Sequence, residues 1–140
     1  RRMRLTAWKA TQGASRRGRL LFPHAQIIDL HAEGYIRPHR DNCKIFGEFT
    51  ASLNLLSSAV IRFRPWKPNV DKVIDVLLRP RTLYVMHDDM RWDHTHEVLD
   101  STATRDLLRK HNVNVEVKRG RRISVVVRDV GGSGVFGLEW

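Results

Sequence analysis

The chain has 140 residues and a formal net charge of +10, from 25 Lys and Arg against 15 Asp and Glu. This length suits one domain that builds its own core, and the single Cys43 excludes an internal disulfide. No apolar run approaches the length of a membrane-spanning helix, and the positive charge favours contact with RNA or another polyanion.

The first 28 residues carry seven basic side chains and no acidic one. We interpret residues 1–24 as a basic extension, with a short helix over Arg2–Ala10 followed by a Gly-, Ser- and Arg-rich loop. This composition is typical of the neighbourhood of a cleaved organelle-targeting segment, and a fragment of a longer chain would look the same. A basic organelle protein without a specific polyanion would carry the same charge.

From Ala25 the chain is rich in short β-branched runs, and Gly and Pro punctuate them. Turns are predicted at Gly34, Arg64-Pro65, Arg79-Pro80 and Gly120. Asp100–His111 is predicted as a helix or a polar excursion, and residues 131–140 as a tail. The candidate strands are Gln26–Leu30, Thr50–Leu56, Ala59–Phe63, Val73–Leu78, Thr82–Met86, Glu97–Leu99 and Arg122–Arg128. This pattern predicts an all-β sandwich or barrel with minor helix over residues 25–130.

His39 and Asp41 form a possible metal motif. Residues i and i+2 of an extended segment point the same way, so both side chains can reach one ion. A third ligand, His96, would come from a distant strand, and two histidines with one carboxylate form the facial set of non-haem Fe(II) oxygenases. The residues alone leave alternatives, because His87-Asp88-Asp89 is a second such triplet and His94 could bind the metal as well as His96.

The last predicted strand presents two arginines on one face. Arg122, Ser124, Val126 and Arg128 alternate with Ile123, Val125 and Val127, which form a β-branched core face. An inward guanidinium is costly unless it meets an anion. A bound dicarboxylate could supply that anion, and Asp29 or Glu33 could supply it from within the protein.

Several stretches resemble the AlkB family of Fe(II)- and 2-oxoglutarate-dependent dioxygenases, and in particular its mitochondrial members. The resemblance covers residues 28–128 and implies a double-stranded β-helix, or jelly roll, and a mitochondrial location. The stretches that carry it are Gly34–Asp41, Ser52–Ser57, Leu83–Met86, Asp93–Leu99 and Arg119–Val125.

The resemblance also implies a role for each site residue. His39, Asp41 and His96 would be the iron ligands, which leaves out His87 and His94. For 2-oxoglutarate, the resemblance implies that Arg122 grips the distal carboxylate with Ser124 and Tyr84, and that Arg128 lies near the carboxylate that chelates iron.

Two regions depart from the family pattern. Many relatives have Asn at the position of Ser124 and Thr at that of Val126. The family often uses Asn and Tyr against the cosubstrate upstream of the iron motif, where this chain has Asp29 and His31.

The activity implied is hydroxylation of a C–H bond, or demethylation, of a protein side chain or a methylated RNA base. Only 38 residues precede His39, so we expect an open site without the large lid of base-repairing relatives. The alternative is a non-catalytic structural or assembly subunit of a large mitochondrial ribonucleoprotein complex. The ligand set favours the enzyme, whereas the charge and the short core suit the subunit.

Overall fold

Two four-stranded antiparallel sheets face each other in the computed structural model, which describes residues 21–67 and 72–131. The strand orders are β1-β8-β3-β6 and β2-β7-β4-β5. In chain order the elements are β1 (Gln26–Leu30), β2 (Ile36–His39), β3 (Phe46–Leu55), β4 (Ala59–Pro65), β5 (Ile74–Leu78), β6 (Thr82–His87), α1 (Asp88–Trp92), β7 (His94–Val98), α2 (Ser101–Lys110) and β8 (Arg122–Val130). This arrangement confirms the predicted jelly roll.

Strand β3 is longer than predicted. It begins at Phe46 rather than Thr50, and its pairing with β8 shifts register between these two residues. Within the irregularity, the carboxylate of Asp129 accepts hydrogen bonds from the backbone N–H groups of Glu48 and Phe49, at 3.0 and 2.9 Å. A side chain thus replaces part of the ladder, which a pattern of alternating residues does not reveal.

The candidate strands omitted β2, and helix α1 was also not predicted. Strand β2 has four residues, contains Pro38 and pairs only with β7 at the edge of its sheet. Proline fits such an edge because no ladder hydrogen bond is needed on the open side. The turn predicted at Arg64-Pro65 falls too early, since β4 continues through Pro65.

The later elements agree better with the predictions. Strand β7 begins at His94, three residues before the predicted Glu97, and β1 has the predicted bounds. Of the two predicted alternatives for this segment, a helix or a polar excursion, helix α2 shows the first, and Asp100 caps it by accepting a 2.7 Å hydrogen bond from the N–H of Ala103.

Two packed clusters form part of the apolar core of the described residues. Phe49, Ala51 and Val127 pack on the outer face of the first sheet, where Ile123 and Val125 are only half-buried. The second cluster contains Ile61, Phe63, Leu78 and Met86.

Polar side chains line the inner face of β3. Thr50, Ser52 and Asn54 are each at most 2 % exposed, and they alternate with the apolar residues of the outer face. A buried row of hydrogen-bonding groups requires partners, and Thr50 has one in the carboxylate of Asp41.

Some sequence predictions fall outside the described residues, namely the helix over Arg2–Ala10 and the tail beyond Gly131. Neither helix in the described part of the chain has the length and apolar content needed to span a bilayer.

Candidate metal centre and anion-binding cavity

A cavity of about 420 Å³ lies between the inner faces of the two sheets. Its lining draws on β1, β3, β6 and β8 of the first sheet and on β2, β4 and β7 of the second. All seven site residues that the sequence predicted line this cavity: His39, Asp41, Tyr84, His96, Arg122, Ser124 and Arg128.

Two histidines and one carboxylate meet at one end of the cavity. His39 and His96 are partners across β2 and β7, and their ring centroids lie 4.2 Å apart. Asp41 follows β2, and one potential ligand atom from each of the three residues lies within 4.8 Å of the others. In residues 21–67 and 72–131, this is the one such cluster of His, Cys, Asp or Glu.

The two imidazoles are suited to act as neutral ligands. Nδ1 of His39 lies 2.9 Å from the carbonyl oxygen of Arg37, which can only accept, so Nδ1 holds the proton and Nε2 is free to bind a metal. Burial lowers the pKa of His96 to about 4 despite the opposing effect of the Asp41 carboxylate. His96 is therefore neutral at pH 7.

Asp41 is 7 % exposed and ionised. Burial alone would raise its pKa, but hydrogen bonds and charge from Arg128 and a hydrogen bond from Thr50 lower the pKa to about 2. Oδ2 accepts from Arg128 Nε at 2.9 Å and Thr50 Oγ1 at 2.8 Å, and Oδ1 accepts from Arg128 Nη2 at 3.2 Å. A carboxylate offers about four acceptor sites, so Oδ1 retains one for a metal.

The other end of the cavity is formed by Arg122, which is 3 % exposed. Its Nε donates to Oδ1 of Asn54 at 2.5 Å, while its Nη1 is buried without a partner. Burial lowers the pKa of Arg122, yet a guanidinium remains charged in proteins. This end therefore contains a buried cation that no carboxylate of the described residues neutralises.

Two hydroxyl groups lie near this cation. Ser124 is 1 % exposed and its Oγ has no hydrogen-bond partner among the described residues. Burial raises the pKa of Tyr84, which keeps its phenol protonated and able to donate. Because orphaned buried donors are rare, Arg122 and Ser124 together fit a bound anion.

The two inward arginines have different partners. Arg128 forms a fork-shaped pair with Asp41, so its anion lies within the protein and is a carboxylate that the sequence did not suggest for this role. Neither of the internal anions suggested by the sequence pairs with an inward arginine, because Asp29 pairs with Arg121 at 2.6 Å and Glu33 is exposed.

The alternative metal ligands lie elsewhere. His87 is exposed and pairs with Asp88 at 2.6 Å, and His94 Nδ1 lies 3.0 Å from the carbonyl oxygen of Asp89. Upstream of the iron motif, Gln26 and Ile28 line the cavity, whereas Asp29 and His31 do not.

Four supporting residues were missed by the sequence analysis. Thr50 and Asn54 could have been found from the polar residues at every second position of β3, a pattern that is unusual for a buried strand. Gln26 accepts from Arg128 Nη1 at 2.9 Å. Arg91 is 2 % exposed and donates to the carbonyl oxygen of Phe46 at 3.2 Å, a role that no sequence pattern signals.

The chain is similar in sequence to proteins named as dioxygenases. No family model matches. It is 34 % identical over 114 residues to "Alpha-ketoglutarate-dependent dioxygenase alkB homolog 7, mitochondrial" of Bos taurus, and 36 % identical over 112 residues to the Mus musculus protein of that name. These matches cover 81 % and 79 % of the chain but 48 % and 47 % of the relatives, so the chain spans about half their length.

A solved structure, "The structure of OsALKBH1", matches with a TM-score of 0.53 and 18 % identity. It covers 91 % of this chain and 60 % of the other, and at this identity it supports the fold alone.

Proposed function

Because the chain belongs to the AlkB-like family, we propose that it is an Fe(II)- and 2-oxoglutarate-dependent dioxygenase. The observation that carries this proposal is one cavity with two histidines and a carboxylate at one end and an unneutralised guanidinium at the other. A dicarboxylate that chelates a metal through one end needs a cation for its other end.

In this proposal His39, Asp41 and His96 hold Fe(II). The bound metal and 2-oxoglutarate would supply oxidation of a substrate C–H bond, coupled to decarboxylation of the cosubstrate. Arg128 holds the Asp41 carboxylate and would lie near the carboxylate of 2-oxoglutarate that chelates the metal. The two hydrogen bonds from the Arg128 guanidinium fix the orientation of the Asp41 carboxylate, which would otherwise be free to rotate.

At the far end, Arg122 and the hydroxyls of Ser124 and Tyr84 bind the distal carboxylate of 2-oxoglutarate. Burial excludes water from Arg122 and Ser124, so their hydrogen bonds to an anion are strong. The substrate would be a protein side chain or a methylated RNA base, and the location would be mitochondrial, as the names of the relatives suggest.

Turnover in the absence of substrate tests the proposal. We expect the purified chain with Fe(II), ascorbate and 2-oxoglutarate to release succinate slowly, and Arg122→Ala to lower the rate by about 100-fold, the order expected for loss of a positioning contact. Arg121→Ala, which removes an exposed neighbouring arginine, is the control. The proposal would be contradicted if the chain with Fe(II) released no more succinate than a metal-free blank.

The charge leads to a separate prediction about RNA. Seven of the 25 Lys and Arg residues lie within residues 1–20, which contain no acid. Removing these residues should weaken binding of a single-stranded RNA and flatten its salt dependence, since the slope falls by about 0.7 per lost phosphate contact. Fluorescence anisotropy at two salt concentrations measures this. Unchanged binding after the deletion would show that the basic segment makes no RNA contact.

A further inference from the structure

The two inward arginines of β8 meet chemically different acceptors. The guanidinium of Arg128 faces the carboxylate of Asp41, so its charge is neutralised within the protein. The guanidinium of Arg122 faces the neutral amide of Asn54, and its charge has no internal counterpart in the described residues. The residue at position 54 therefore determines whether this end of the cavity is cationic.

The contacts of Asn54 fix the orientation of its amide. Nδ2 donates to the carbonyl oxygens of Ser57 at 2.9 Å and Arg79 at 3.0 Å, so the remaining atom, Oδ1, must face Arg122. Carbonyl oxygens cannot donate, and this excludes the flipped amide.

Asn54 is also anchored by two turns. Ser57 follows Leu56 at φ 70°, and Arg79 lies two residues before Arg81 at φ 68°. The side chain of Asn54 is fully buried between these turns, which leaves it little freedom to move. The amide therefore presents Oδ1 to Arg122 Nε from a rigid support.

We propose that Asn54 is a positioning and specificity-determining residue for the cosubstrate. It holds Arg122 through Nε with an uncharged acceptor, and so leaves Nη1 and the full positive charge for a ligand carboxylate. The cavity would then prefer a 2-oxo dicarboxylate to the corresponding monocarboxylate. This inference rests on the proposed function.

The test compares 2-oxoglutarate with 2-oxopentanoate, which has the same number of carbons but no distal carboxylate. Affinities for both acids are measured by calorimetry on the full chain loaded with Mn(II). In Asn54→Asp the new carboxylate neutralises Arg122, so the preference for 2-oxoglutarate should fall at least about tenfold, as expected when a charge-assisted pair is lost. Mn(II) affinity should stay unchanged.

Asn54→Ser is the matched control. It loses the same two amide donors to the turns but keeps a neutral oxygen, so it should retain the preference to within about threefold. Ser57→Ala, which removes the 2.9 Å hydrogen bond to the carbonyl oxygen of Gly120, controls for loosening of the turn alone. An equal loss of preference in Asn54→Asp and Asn54→Ser would show a merely structural role and overturn the inference.

Three further outcomes are separable. If Asn54→Asp does not fold, Asn54→Leu replaces it, and a preference equal to that of Asn54→Ser would overturn the inference. If the wild-type chain shows no preference for 2-oxoglutarate, the proposed function fails. A wild-type preference that survives in Asn54→Asp overturns the role of Asn54 alone.

Discussion

His39→Ala is expected to abolish binding of Fe(II), or of Mn(II) as an inert substitute, at the cavity. Its imidazole supplies one of three ligands, and Nδ1 is already bonded to Arg37, which directs Nε2 toward the metal. Removing the hydrogen-bond partner of a metal-binding side chain typically lowers metal affinity by about 10–100-fold. Removing the metal-binding side chain itself should therefore lower it by more than about 100-fold. Calorimetric titration with Mn(II) measures the change.

His87→Ala is the control for this prediction. His87 is exposed and paired only with the adjacent Asp88 in the described residues, so its removal should leave metal affinity unchanged. A histidine variant is preferable to Asp41→Ala, because removing Asp41 would leave the guanidinium of Arg128 without its carboxylate. If His87→Ala strips the metal while His39→Ala retains it, the ligand assignment is wrong.

Alternation along extended segments predicted the inward face of β8, because side chains of a strand must alternate. The four residues Arg122, Ser124, Val126 and Arg128 do line one cavity. The same rule applied to β3 would have predicted the buried polar row containing Thr50 and Asn54, since both the period and the polarity are visible in the sequence.

Pairing across the fold could not be predicted in this way. Nothing in the sequence indicates that Asp41 rather than Asp29 meets Arg128, because Asp41 and Arg128 are 87 positions apart and are brought together only by the stacking of two sheets. Strand β2 was missed for a local reason, since a four-residue edge strand with a proline has no apolar period.

The unequal partners of the two arginines bear on whether the chain is an enzyme or a structural subunit. The internal pair of Arg128 with Asp41 stabilises the site without a ligand, and a non-catalytic structural subunit would also need such a pair. The unpartnered Nη1 of Arg122 favours the enzyme, because Arg122 lines a cavity that can hold an anion, whereas Arg91, also buried without a carboxylate partner in the described residues, does not line it.

Melting temperatures separate these two alternatives. With Mn(II) present, 2-oxoglutarate at about 100 times its Kd should stabilise the folded chain by about 2.7 kcal/mol, because it binds only the folded state. For a domain of this size that is a rise in Tm of about 5–10 °C. Arg122→Ala should abolish the rise, since Arg91, the other buried guanidinium without a carboxylate partner in the described residues, does not line the cavity. Differential scanning fluorimetry measures both.

Arg121→Ala is the matched control, because Arg121 precedes Arg122 but is exposed and paired with Asp29, so the variant should keep the full rise. Without ligand, Arg122→Ala should remain folded, since the substitution removes a buried charge and leaves only Asn54 Oδ1 without its donor. Suppose instead that the wild type shows no rise at millimolar 2-oxoglutarate and Arg122→Ala unfolds. Arg122 would then be needed for the fold itself rather than for a ligand, and the structural-subunit alternative would replace the proposed enzyme.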